Sequence, residues 1–336
     1  MNSRYHYPLL LLFCVFLAGT VNAQSPVYLT SVEAHLKITG NHTEVPETFD
    51  GNISKPQQRK KMMAYLKGLE TEDANYNEAK VRNLYRLAGI FTRLRLYPLA
   101  MKCFFKTMRF DVDSITTGSP AITASDDSTL EEQVNFLGPD TNKEVKSKAI
   151  SSDRIVNTFN DGKTAIAYAL VFHVKQPVRG KPRIFKLANT GHTFITLIKY
   201  NSDSTYAAIS FGFYPKKDNP LSATPIIPST SSIFKDDSEH AWDEVLGKFI
   251  SKRRFEKILA LTQQYNTLAY HLSKNNCTDF GLKAATLAGL DVWETKGSWP
   301  LGSGNNPGIT GQSIINGKFD NADTGDNKDL LIGLNK

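Results

Sequence analysis

The sequence predicts an α+β protein: an antiparallel sheet packed against a helix that begins at a cysteine, with a helical region ahead of the sheet. Three observations carry this. Apolar residues recur at three and four between Arg82 and Met108, as on a helix face. Three runs rich in β-branched and aromatic residues then follow one another between Thr164 and Tyr214. Helical spacing returns after Ala241 and again from Cys277.

In chain order, the first element reads as a targeting signal. Arg4 gives a positive start, Pro8 to Gly19 an apolar stretch and Val21-Asn22-Ala23 a small-residue cleavage site, so residues 1–23 read as a secretory signal peptide and the mature chain would begin at Gln24. Cys14 follows Phe13, where lipid attachment wants a small residue. The expected location is periplasmic or extracellular, with no membrane-spanning segment once the signal is removed. Export leaves Cys103 and Cys277, too few for a disulfide framework, and Cys103 sits in an apolar helical stretch as a core residue would.

Residues 24–110 divide into an extended, polar segment to about residue 55 and a helical hairpin. In the hairpin, Leu84, Leu87, Ala88 and Phe91 form one apolar face and Ala100, Cys103 and Phe104 the next, joined near Leu96-Tyr97-Pro98. Leu87, Gly89, Ala100 and Phe104 resemble the packing positions of one tetratricopeptide unit, Gly89 marking a close crossing; a single unit is equally a plain hairpin. Residues 111–150, with GSP, SDDS and GPD, read as a linker.

Residues 151–316 form the second domain. Thr164 to Val174, His192 to Tyr200 and Thr205 to Tyr214 are its strands, and NSDS between the last two marks a hairpin turn. Asp218 to Ser232 is a Pro- and Ser-rich loop. Ala241 to Tyr265 carries helical spacing through Val245, Phe249, Phe255, Ile258 and Leu261 and reads as two helices. From Cys277 a helix runs to a stop at Gly289, with Asn276 as N-cap and Asp279 at the third position. Ser298 to Ser313 is Gly-rich but lacks a phosphate-loop lysine and reads as a loop near the cleft, with Trp299 a substrate wall or core plug. Residues 317–336 read as a polar, disordered tail.

The chemistry concentrates on Cys277 and His192. A thiol at a helix N-terminus faces unpaired N–H groups and the positive end of the helix dipole, which favour thiolate, and an imidazole on a rigid strand completes a nucleophile. His173 lies mid-strand and reads as structural; His271, six positions before Cys277, competes as the base. His240 sits in acidic DDSEHAW and reads as an exposed residue, with a cation or cleft-lining role beside Asp236, Asp237 and Asp243 as the alternative. No Cys or His spacing suits zinc, and neither a metal nor a cofactor is implied. The formal charge of +7 is spread along the chain, with small clusters at Arg59-Lys60-Lys61 and Lys252-Arg253-Arg254 and no interleaved aromatics, which disfavours nucleic acid as partner.

GHTFITL, FGFYP and NNCTDFGL, in that order, resemble the papain-like superfamily in its circularly permuted, NlpC/P60-like form, over roughly residues 160–315. The resemblance implies Cys277 as nucleophile and His192 as base and later acid. It also implies a third polar residue orienting the imidazole from the following strand, where Ser210 and Tyr214 are the candidates, and an oxyanion site at the Cys277 N–H, with Asn276 as support. The implied activity is cleavage of an amide, with cell-wall peptides as leading substrate. Lipid or ester acyl chemistry on the same fold and a non-catalytic envelope module are the alternatives.

Overall fold

The computed structural model describes residues 62–66, 78–108, 118–123, 126 and 146–334, except 188, 217, 218, 220 and 328. The signal peptide with Cys14, the extended segment from residue 24, the Arg59-Lys60-Lys61 cluster and most of the linker lie outside these residues. Among the described residues no helix is long and apolar enough to cross a membrane.

The architecture is α+β, built on one seven-stranded sheet. Its strands are β1 (Lys148–Ile150), β2 (Ala165–Lys175), β3 (His192–Asn201), β4 (Tyr206–Pro215), β6 (Ser232–Asp236), β7 (Glu244–Ile250) and β13 (Leu331–Leu334), in the order β1-β6-β4-β3-β2-β7-β13 with every pair antiparallel. Short pairs join β5 (Ser229–Thr230) to β8 (Tyr270–His271), β9 (Leu290–Val292) to β12 (Phe319–Asn321) and β10 (Lys296–Trp299) to β11 (Gly302–Asn305). The three strands read from sequence are observed within a residue of their expected ends.

Both faces of the sheet are covered, which is why every residue of β3 is buried and its apolar residues point to both faces, Phe194 and Ile198 to one and Ile195 and Leu197 to the other. One face carries Ala167, Ala169, Val171, Phe194, Ile198, Val245 and Phe249. Against it pack α1 (Glu78–Arg93) and α2 (Tyr97–Phe105), the Tyr200 hydroxyl donating to the Pro98 carbonyl at 2.7 Å. The hairpin therefore shares a core with the sheet. Gly89 is no close crossing, since a side chain there would meet nothing within 4 Å. Cys103 is fully buried in this layer and both described cysteines are free thiols.

The other face carries Leu170, Phe172, Ile195, Leu197, Phe211, Phe213 and Leu246 beneath α3 (Ser152–Asn157), α4 (Lys252–Tyr265) and α5 (Cys277–Ala288). Phe280 of α5 is fully buried among Phe211, Phe213, Phe234 and Tyr265, a burial that contributes about 2–3 kcal/mol. Gly281 lets α5 lie tight on the sheet, because a Cβ there would sit 2.6 Å from Thr193 and 2.9 Å from Phe172. Gly289 ends α5 in the left-handed conformation, φ 77°.

Four sequence readings need correction. Residues 244–250 form a strand, not a helix: Val245 and Phe249, four apart, satisfy a period of two as well as one of 3.6, and the run is held centrally between β2 and β13. Residues 317–334 are no disordered tail. β12 and β13 are paired strands, and Asp323 binds Lys248 at 2.7 Å and Arg254, while Lys248 and Arg254 donate to the Gly289 and Ala288 carbonyls at the C-terminus of α5. Ser298 to Ser313 is the β10–β11 hairpin followed by α6 (Pro307–Ile315), capped by Asn306. Finally, the boundary near residue 150 cuts through the sheet, whose edge strand β1 starts at Lys148.

Candidate active site

The end of the sheet where β3 begins is where the chain brings its chemistry together. Asn276 caps α5 through a full capping box: its side chain accepts from the Thr278 and Asp279 N–H groups at 2.8 and 2.9 Å, and Asp279 Oδ2 accepts from the Asn276 N–H at 2.9 Å. That places Cys277 at the first helical position, buried, with its side chain toward the start of β3. The Asn276 amide donates to the carbonyls of Leu272 and Asn305, both at 2.8 Å, so it braces the loop and has no N–H left for an oxyanion.

β3 and β4 are paired only from Tyr200↔Tyr206 to Ile195↔Phe211. Beyond that point His192 leaves the ladder and lies across β4 at Gly212. The His192 ring and the Thr193 N–H stand where they favour the thiolate form of Cys277, and the Thr278 hydroxyl is 4.0 Å from the sulfur. His192 Nε2 meets Asp237 Oδ2 at 3.0 Å, which leaves Nδ1 for the sulfur. Asp237, just past the end of β6, is held in turn: its Oδ1 accepts from the Tyr214 and Ser147 hydroxyls at 2.7 and 2.6 Å, and its own N–H donates to the Ser210 carbonyl at 2.9 Å.

The third residue is therefore a carboxylate from β6, not Ser210 or Tyr214. The Ser210 hydroxyl is spent on Thr196 at 2.7 Å, and Tyr214 acts one step further out, its ring tilted against that of His192 at 4.2 Å while its hydroxyl bonds Asp237. β4 lies between β3 and β6, so the imidazole reaches Asp237 only because residue 212 has no side chain. A Cβ there would overlap His192 Nε2 and stand 2.5 Å from Asp237 Oδ2. Gly212→Ala is expected to force the ring off the carboxylate and lower the thiolate fraction of Cys277, while the melting temperature moves by only a few degrees. Absorbance titration of the thiol beside a thermal melt checks both; an unchanged titration would contradict this geometry.

The other histidines stand apart. His173 Nε2 bonds the Thr196 hydroxyl at 2.9 Å, and its ring is buried between Tyr97 and Phe194, where burial holds its pKa well below the ordinary value. His271 Nδ1 accepts from the Ser273 N–H at 3.1 Å in β8. His240 is not a free surface group: it packs 5.0 Å from the His192 ring and 5.4 Å from Phe194, with Nδ1 at 2.8 Å from the Ala241 carbonyl. Asp243 lies elsewhere, bonding Lys175 and Arg179 at 3.0 Å each.

Charge in the cluster follows from these contacts. Burial opposes the imidazolium, but the Asp237 carboxylate, with Cys277 adding to it, outweighs burial and raises the His192 pKa to about 9. Burial likewise opposes the thiolate and the Asp237 carboxylate, yet His192 beside each, and the Thr193 N–H at the sulfur, hold both below their ordinary values. These influences favour a buried thiolate–imidazolium–carboxylate chain. Tyr270 stands beside this chain, and burial together with the nearby Cys277 holds its hydroxyl pKa well above the ordinary value, so it stays protonated. The sequence pattern named Asp237 only as a neighbour of His240, not as the partner of His192, and did not mark Tyr270.

No protein family, curated protein or solved structure matches the chain. The site rests on its own geometry. Two surface grooves of about 590 and 500 Å³ lie elsewhere, one between α4 and α5 and one beside α4 at the start of β2, and neither is lined by Cys277 or His192.

Proposed function

We propose that the chain is an exported thiol hydrolase that cleaves an amide bond, in a permuted papain-like manner, with Cys277 as nucleophile, His192 as acid and base and Asp237 as the residue that orients His192. The observation that carries this is the placing of Cys277 at a capped helix start beside His192, whose Nε2 lies 3.0 Å from Asp237 Oδ2, an arrangement that favours thiolate and imidazolium. The order of His192 strand and Cys277 helix, and the resemblance of GHTFITL and NNCTDFGL to NlpC/P60-like enzymes, support the same reading and favour cell-wall peptides as substrate.

In this mechanism the thiolate adds to the carbonyl carbon, and the developing oxyanion takes hydrogen bonds from the Cys277 N–H and the Tyr270 hydroxyl. The His192 imidazolium passes its proton to the leaving amine as the C–N bond breaks, leaving a thioester on Cys277. Neutral His192 then takes a proton from water, which adds to the thioester; collapse returns the proton-bearing imidazole and the thiolate and releases the acid.

The test is turnover of an activated ester and of amidated peptides, with the acyl group traced to the Cys277 peptide by mass spectrometry. Acylation at Cys277 that vanishes in Cys277→Ala is expected; no acyl adduct on Cys277 contradicts the proposal. Tyr270→Phe removes one oxyanion donor and keeps the ring that stacks on Phe213. It is expected to lower kcat about tenfold to a hundredfold with little change in KM, measured by steady-state kinetics.

A further inference from the structure

The two most exposed leucines of the described chain are also two of its few non-glycine residues with positive φ. Leu187 is 92% exposed at φ 56° and Leu301 is 84% exposed at φ 72°. A branched side chain rarely adopts that conformation, and here each stands outward at the tip of a turn. They have company. Six of the eight exposed large apolar side chains lie on three segments: Phe185 and Leu187 on 177–191, Leu221, Ile226 and Ile227 on 216–231, and Leu301 on the β10–β11 turn.

All three segments are fastened to the site. The first runs into Gly191 and His192. The second is tied to the loop before Cys277 by the β5–β8 pairing and by the Leu272 N–H donating to the Pro228 carbonyl at 2.9 Å. The hairpin packs Gly302 and Gly304 on Ser273, and its Asn305 carbonyl accepts from Asn276. Asn306, next in the chain, reaches the Ile184 carbonyl at 3.0 Å and so links hairpin to first segment.

Their charge is mostly positive, with Asp218 the one carboxylate in 177–191 and 216–231. Residues 177–191 hold Arg179, Lys181, Arg183 and Lys186 and no carboxylate. Arg179 is paired with Asp243, whereas Lys181, Arg183 and Lys186 are exposed with no acidic partner among the described residues. Lys216 and Lys274 are exposed on the neighbouring segments. Apolar tips interleaved with unpaired cations fit the headgroup layer of an anionic bilayer, where the tips enter the acyl boundary and the cations meet lipid phosphates.

We propose that these three segments dock the chain on an anionic lipid surface, presenting Cys277 to a bond carried at that surface. The docking stands on exposure and charge alone; that the docked thiol cleaves a lipid-borne acyl or peptidyl bond rests on the hydrolase reading above.

The test uses the full chain carrying Cys277→Ala, so that no chemistry occurs, sedimented with vesicles of phosphatidylcholine alone or mixed with phosphatidylglycerol. Binding to the phosphatidylglycerol vesicles only, weakened by salt, is expected. Two loop variants, Leu187→Ser with Leu301→Ser, and Lys181→Glu with Arg183→Glu and Lys186→Glu, should each partition at least about tenfold less while melting as the parent does. Absence of binding to phosphatidylglycerol vesicles, or binding that both variants retain, overturns the proposal and gives the surface to a protein partner or to residues before 62. Neither result bears on acylation of Cys277 in the unsubstituted chain, so the two readings fail separately.

Discussion

His192→Ala is expected to convert Cys277 from a thiolate at neutral pH into an inert buried thiol. Burial by itself pushes the thiol pKa up, and the His192 ring, through hydrogen bond and charge, is the largest influence holding it down. Without the ring, the Thr193 N–H and the Thr278 hydroxyl remain, and these do not match a full positive charge. Alkylation of Cys277 by iodoacetamide near pH 6 should slow at least about tenfold, and hydrolysis should be lost altogether. His271→Ala, which alters a ring bonded within β8, should leave the alkylation rate unchanged. Rates from quenched-flow labelling and peptide mass analysis decide between the two histidines, and a larger effect in the His271 variant would reverse the assignment.

Cys277→Ala is expected to change how stability depends on pH. Between about pH 6.5 and 8.5 the unfolded chain holds one proton, on the thiol, while the folded site, its thiol pKa lowered and its His192 pKa raised to about 9, favours that one proton on His192. The two linkages cancel, and this pair leaves wild-type stability flat across that window. Removing the thiol leaves His192 alone. Its folded pKa, still raised by Asp237, exceeds the unfolded value, so its stabilisation is present below about pH 6.5 and lost as pH rises through the folded pKa. The variant should therefore lose about 1–3 kcal/mol across the window, read from urea unfolding at stepped pH. Adding Asp237→Asn should abolish that decline. A flat profile for Cys277→Ala alone would mean that Asp237 does not hold the proton on His192.

The parts of this site legible in the sequence were those encoded by neighbours in the chain. Asn276, Cys277 and Asp279 announce a capped helix start within four residues, and GHTFITL announces a strand with its histidine at the open end. The place of Asp237 on His192 was not legible, because it follows a short strand, β6, entered from a Pro- and Ser-rich loop and reaches His192 only across β4, past the bare backbone of Gly212. Ser147 was hidden for the same reason, in a stretch that read as linker yet supplies the outermost strand. β7 was misread because its apolar spacing fits two periods, and the partners that choose between them come from distant parts of the chain. β13 likewise becomes a strand through its pairing with β7, since LIGL is too short to declare itself.

The central claim is that Cys277 is a thiolate activated by His192, and the most direct measurement is the pH profile of its alkylation in the unsubstituted, folded chain with Cys103 as the internal control. Cys103 is also fully buried but sits among apolar side chains of α2. The account predicts that Cys277 labels at mildly acidic pH, well below the ordinary thiol range, while Cys103 stays protected until the chain unfolds. Labelling of Cys103 ahead of Cys277, or a Cys277 profile that rises only above the ordinary thiol pKa of about 8.5, would contradict it.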